Sequence, residues 1–206
     1  KAPSKTLASG IADALAKWYE GSLNSGASTD GLVQQAVQMS RVLRDQLLID
    51  GELAFKNANT EAWIKVAEGC ALTAGLIGGI GGSRCRTATA HALHNGLTQL
   101  SPKNKSLHGE LVGFGILVQL RLEEKVLGNR LARQARIQLI PFFEKLNLPI
   151  SLNELGLEHI GIQSLQEVCR FSCNELSMMK HIPFKISSNA LFEAIRETRE
   201  GKEYSK

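Results

Sequence analysis

Apolar residues recur along most of this chain at spacings of three and four, the period of a helix with one buried face. Leu7, Ile11, Leu15 and Trp18 form the first such stripe, and Gly21, Asn24 and Gly26 mark its end. Ser28, Thr29 and Asp30 are N-cap residue types ahead of a second run. That run carries Leu32, Val33, Ala36, Val37, Val42, Leu43 and Leu47, and Asp50-Gly51 is expected to stop it. A third helix is predicted from Thr60 through Trp63, Val66 and Cys70 toward Leu76. Further helices are predicted over 87–97, 110–127 and 130–146, with Leu148-Pro149 as a break. Short helices are expected near 151–155 and 164–173, and Ser187-Ser188-Asn189 caps a last one running to about Arg199. No stretch alternates apolar and polar positions with β-branched residues, so no strand is predicted. No internal repeat is evident. The expected fold class is therefore all-α: one multi-helix bundle over 1–206, with a candidate seam near 127–130.

The passage containing Gly75, Gly78, Gly79, Gly81 and Gly82 invites comparison with a phosphate cradle. Such a cradle needs a preceding strand and a set glycine spacing, and in the P-loop a Lys followed by Ser or Thr. None of these is present, so the passage is read as a helix packed closely through small residues, then a flexible turn.

Composition narrows the function classes. The 206 residues are 43% hydrophobic and 21% charged, an ordinary profile for a globular domain. With 24 basic and 20 acidic residues the net charge is only +4, and no dense basic stripe with interleaved aromatics appears. Nucleic acid is not an expected partner. The apolar stretch around Ala71–Ile80 is short and glycine-rich, so no membrane span or secretory signal is expected either. Cys70, Cys85, Cys169 and Cys173 form no CxxC pair. They are read as free thiols packed as small hydrophobes in a reducing, cytoplasmic setting.

The candidate chemistry lies in the histidines His91, His94, His108, His159 and His181. His91 and His94 stand three apart on one predicted helix, which Asn95-Gly96 is expected to end. A polar loop over 101–105 follows, and His108-Gly109-Glu110 opens the next helix. Folding that loop could bring two imidazoles to one metal ion. Surface or hydrogen-bonded core histidines account for the spacing equally well. Asp13 has Ser9, Gly10, Ala16 and Lys17 at helical spacing, so its carboxylate faces either solvent or a tight polar site.

These residues sit in stretches that carry a family resemblance. Thr87-Ala88-Thr89-Ala90-His91-Ala92-Leu93-His94-Asn95-Gly96-Leu97-Thr98 resembles the metal-binding helix of the glycerol dehydrogenases, of the iron-containing alcohol dehydrogenase superfamily. His108-Gly109-Glu110 with Val112-Gly113-Phe114-Gly115-Ile116-Leu117-Val118-Gln119-Leu120 resembles the helix that follows in the same enzymes. Lys1-Ala2-Pro3 with Gly10-Ile11-Ala12-Asp13-Ala14-Leu15-Ala16-Lys17-Trp18 resembles the start of their helical domain, and Ile182-Pro183-Phe184 also fits. The resemblance spans essentially the whole chain.

It implies the C-terminal helical domain of the dehydroquinate synthase-like, iron-containing alcohol dehydrogenase fold. It implies Asp13, His91 and His108 as metal ligands, and His94 as a neighbour that does not ligate but supports catalysis, reaching the substrate side or orienting bound water. One carboxylate and two imidazoles leave a coordination position free, as catalytic sites do. The implied cofactors are a divalent metal, zinc or iron, and NAD. The implied reaction is oxidation of a small polyol or alcohol, the metal polarising a substrate hydroxyl for hydride transfer to NAD. NAD would be held by an N-terminal α/β domain absent from this chain, which alone is expected to be inactive. A homo-oligomer is also implied. Metal binding needs neutral imidazoles, so occupancy should fall below about pH 6.5.

One departure stands out. Gly82-Ser83-Arg84-Cys85-Arg86 occupies the place of an aromatic-acidic-Ser-Gly-Gly run, which puts glycerol as substrate in doubt. Arg84 and Arg86 could bind an anionic substrate group, be solvated, or meet another domain. Competing readings are a glycerol-1-phosphate dehydrogenase, a dehydroquinate synthase, or a non-catalytic helical fragment used for binding or assembly. The synthase carries Glu as its acidic ligand, against Asp13 here.

Overall fold

The computed structural model describes residues 1–100, 105–174 and 178–199. Among them every regular element is helical. The α-helices are α1 (Ser4–Ser25), α2 (Gly31–Lys56), α3 (Glu61–Glu68), α4 (Ala74–Gly81), α5 (Thr89–Gln99), α6 (His108–Leu127), α7 (Arg130–Lys145), α8 (Ile162–Ser172) and α9 (Ser188–Arg199). Most of the expected 101–105 loop, residues 101–104, lies outside the described residues.

Several boundaries differ from expectation, each for a packing reason. α2 runs through Asp50-Gly51 to Lys56. A Cβ at Gly51 would stand 2.9 Å from the Phe142 ring, so the glycine lets α7 close on α2. α5 continues past Asn95-Gly96 to Gln99, because Gly96 faces Val168 and Ser172 of α8. Residues 151–155 form turns rather than a short helix. The third predicted helix extends further than expected: α3 passes through a π-helical turn, Gly69–Thr73, into α4 and a 3-10 turn, Gly82–Cys85. The glycine-rich passage is thus helical, with Gly78 and Gly81 buried, and ends where Gly82 takes φ 58°. By length and composition alone Glu61–Cys85 could cross a membrane. In this fold Ala62, Val66, Ala74 and Ile77 on that run are buried in the core shared with α1 and α2.

Two apolar clusters meet at α6. Val112, Ile116, Leu117 and Leu120 enter the cluster built with α1–α4 and α7. Leu111, Phe114, Val118 and Leu122 enter the cluster built with α5, α8 and α9. A helix apolar on all sides is a central one. Its seating depends on two glycines. A Cβ at Gly109 would meet the Ser9 carbonyl oxygen at 1.8 Å, and one at Gly115 would meet the Ala90 carbonyl oxygen at 2.7 Å. These contacts press the start of α6 onto α1 and its middle onto α5, and so bring three candidate residues to one place.

Candidate metal centre

Asp13 comes from the middle of α1, His91 from the first turn of α5, and His108 from the first position of α6. Asp13 Oδ1 lies 3.2 Å from His91 Nε2 and 3.1 Å from His108 Nε2. The three candidate donor atoms all fall within 4.8 Å of one another. Ligand bonds of about 2.0–2.1 Å in tetrahedral array place neighbouring donors about 3.3 Å apart. The donor set and its spacing therefore fit a divalent cation.

The site is graded from interior to surface. The His91 side chain is 10% exposed, Asp13 32% and His108 52%. Lys17, one turn along α1, places Nζ 3.6 Å from Asp13 Oδ2 and is itself nearly buried. Burial acts to raise the Asp13 pKa, but hydrogen bonds from His108 and His91 and the Lys17 charge outweigh it. The carboxyl is held well below the usual range and stays ionised at neutral pH. Of the two surroundings open to Asp13 in the sequence, the fold gives it the polar site.

His91 is fixed from its other side. Its Nδ1 stands 2.5 Å from Glu20 Oε2, and Glu20 is fully buried on α1. Burial alone would lower the imidazole pKa, but the Glu20 charge and the hydrogen bonds to Asp13 and Glu20 push it up to about 9. The expected midpoint near 6.5 therefore moves upward for this residue. His108 meets a softer partner: its Nδ1 lies 3.1 Å from His94 Nε2, and His94 Nδ1 lies 2.9 Å from Asn95 Oδ1. Burial first, then the His108 charge, pulls the His94 pKa below the usual histidine range.

The remaining candidates stand apart. His159 is exposed, with Nε2 3.7 Å from Glu158. His181 Nε2 lies 3.4 Å from Ser83 Oγ. Arg84 and Arg86 are exposed, and the Arg86 stem lies over Gly78. All four cysteines are free. Cys70 packs against Gly10, and burial, with the Asp13 charge, pushes its thiol up to about 12. Glu20 is the residue that sequence reasoning missed. Its available signal is an acid seven positions after Asp13, two turns on and so on the same face of α1.

Comparison with known proteins bears on the sequence and the fold. No protein-family model matches the chain. It is 46% identical over 198 residues to an uncharacterized oxidoreductase of Synechocystis sp., covering 96% of this chain and 51% of that one. It is 29% identical over 201 residues to a glycerol dehydrogenase of Thermotoga maritima, covering 95% and 54%. It is 31% identical over 204 residues to hydroxycarboxylate dehydrogenase A of Escherichia coli, also covering 95% and 54%. The fold superposes on the crystal structure of a glycerol dehydrogenase from Schizosaccharomyces pombe with a TM-score of 0.83, at 28% identity, over 97% of this chain and 50% of that one. The chain spans about half the length of the relatives it matches. By sequence and by fold it belongs with the glycerol dehydrogenases and related oxidoreductases, matching their C-terminal, helical half.

Proposed function

We propose that this chain is the metal-binding and substrate-binding half of an NAD-dependent alcohol dehydrogenase acting on a small polyol or similar alcohol. The observation that carries the reading is the convergence of Asp13 Oδ1, His91 Nε2 and His108 Nε2 on one point at the molecular surface. A divalent ion held there supplies a Lewis acid for a substrate hydroxyl, and zinc or ferrous iron suits the donor set. The chain's own residues prepare the site. Asp13 contributes a fixed negative charge, steadied by Lys17. His91 contributes a nitrogen from the buried wall, and His108 one from the open rim. The exposure of His108 leaves the side from which an alcohol would enter.

NAD is assigned to an α/β nucleotide-binding domain outside these 206 residues. Titration of this chain with NADH should give no saturable change in nicotinamide fluorescence. Micromolar binding would put a cofactor site within these helices instead. Glycerol is expected to be a poor substrate, since the basic Arg84–Arg86 turn stands before the His91 helix. Elemental analysis after zinc loading tests the central reading. About one ion per chain is expected in the wild type and none in His91→Ala. Equal metal in the two proteins would overturn the assignment.

A further inference from the structure

The first turn of α5 has no cap of its own. Its N-cap residue is Ala88, which carries no side-chain acceptor, and no side-chain cap bond forms there. The orphan N–H groups of a helix start need partners when buried. Glu20 provides them from another helix. Its Oε1 accepts the Ala88 N–H at 2.6 Å and the His91 N–H at 3.0 Å, while Oε2 meets His91 Nδ1 at 2.5 Å. Further along α1, the Asn24 side chain donates to the Thr87 carbonyl and the Ser25 hydroxyl to the Arg84 carbonyl. The same helix that carries Asp13 therefore clamps the backbone from Arg84 to His91.

Both oxygens of Glu20 are thus engaged with a single residue, through its backbone and its ring. An imidazole that donates Nδ1–H to a carboxylate keeps Nε2 for the other side. That nitrogen faces Asp13 Oδ1 at 3.2 Å. Such outer carboxylates orient ligating histidines and raise their basicity.

We propose that Glu20 is the positioning residue of the metal centre: it caps α5 in place of a local N-cap and fixes the tautomer in which His91 presents Nε2 beside Asp13 and His108. The proposal rests on the metal-binding reading above. The discriminating variant is Glu20→Gln. Its amide oxygen still accepts the Ala88 and His91 N–H groups, so the helix start is retained. Its amide nitrogen can only donate, so Nδ1 becomes an acceptor and the ring proton moves to Nε2, where it blocks a metal.

The test has two readouts. Cobalt(II) titrated into the wild-type chain and into Glu20→Gln, followed by its visible absorption, should show affinity lowered about 10–100-fold in the variant. Nitrogen NMR of the metal-free proteins, recorded where the ring is neutral, should show His91 protonated on Nδ1 in the wild type and on Nε2 in the variant. Thermal unfolding checks that the variant is folded, and Glu20→Asp, which restores the charge, should recover part of the affinity if Gln itself perturbs packing. Unchanged cobalt affinity with an unchanged tautomer in Glu20→Gln overturns the Glu20 proposal alone. A wild-type chain that takes up no cobalt overturns the metal reading and the role of Glu20 with it.

Discussion

His91 and His108 face the same carboxylate oxygen at nearly the same distance, yet they are held in opposite ways. His91 is buried, its backbone and Nδ1 both tied to a buried acid. His108 is half-exposed, and its Nδ1 meets another imidazole, His94, whose own bond reaches Asn95. The difference is one of cost. A buried ring must be satisfied on both nitrogens, whereas an exposed ring can turn to water. The buried wall of the site is therefore built into the fold, and the rim is left adjustable.

The largest expected effect separates the two rings without any metal. His91→Ala leaves Glu20 buried with only its backbone partners, and breaking such a pair should destabilise the metal-free chain by about 2–3 kcal/mol. His108→Ala removes a half-exposed ring and should stay within about 0.5 kcal/mol. Both should abolish measurable metal uptake. Chemical denaturation of the two variants checks this, and equal stability losses would erase the distinction between wall and rim.

A second measurement uses the titration of His91. Its pKa is raised to about 9, so its pairing stabilises the fold fully below the unfolded value near 6.5 and is lost as pH rises through about 9. A metal must displace the Nε2 proton. Zinc added in weak buffer at about pH 7.5 should release about one proton per ion, and affinity should climb about tenfold per pH unit up to about 9. Release of no proton would mean that His91 is neutral before metal arrives.

Glu123 sharpens the comparison from outside the site. It is a buried carboxylate without an imidazole partner. Burial pushes it up to about 7 against the hydrogen bonds from the Gln119 and Asn129 side chains. Its folded pKa lies above the unfolded one, so stability falls as pH rises from about 4.5 through 7. Glu123→Gln should raise stability by about 1 kcal/mol at pH 8 and by little at pH 5, read from melting curves. The smallest effect is expected at His94. His94→Ala removes only the partner of His108 Nδ1 and should lower cobalt affinity by less than about tenfold. Loss as complete as in His91→Ala would make His94 a ligand.

The helical fold was legible because its evidence is local. Stripes such as Leu7, Ile11 and Leu15, and caps such as Asp30, act within a few residues of themselves. The errors came where a partner from elsewhere overruled a local signal. Gly51 and Gly96 break helices by propensity, yet here they admit Phe142 and Val168. Spacing brought His91, His94 and His108 into view, and family resemblance selected His91 and His108 from them and joined Asp13 to the pair. Neither reached Glu20: its one local signal is its place two turns after Asp13, and its role lies in bonds spanning 68 and 71 residues of chain.

The sequence by itself determined that this chain is a bundle of helices, most of the residues that face its core, although Leu32 and Val42 of the α2 stripe prove exposed, and which motifs it shares with the glycerol dehydrogenases. Those properties follow from the helical period and from residue types at short range. The tertiary structure alone decided how the three side chains grouped by the resemblance come to one point, and that a buried acid bonds one of them from behind. It decided this because close helix approach depends on what is missing as well as on what is present. The absent Cβ atoms of Gly109 and Gly115 let α6 settle against α1 and α5. The absent side-chain cap at Ala88 leaves backbone donors, and Glu20, arriving from α1, accepts those of Ala88 and His91.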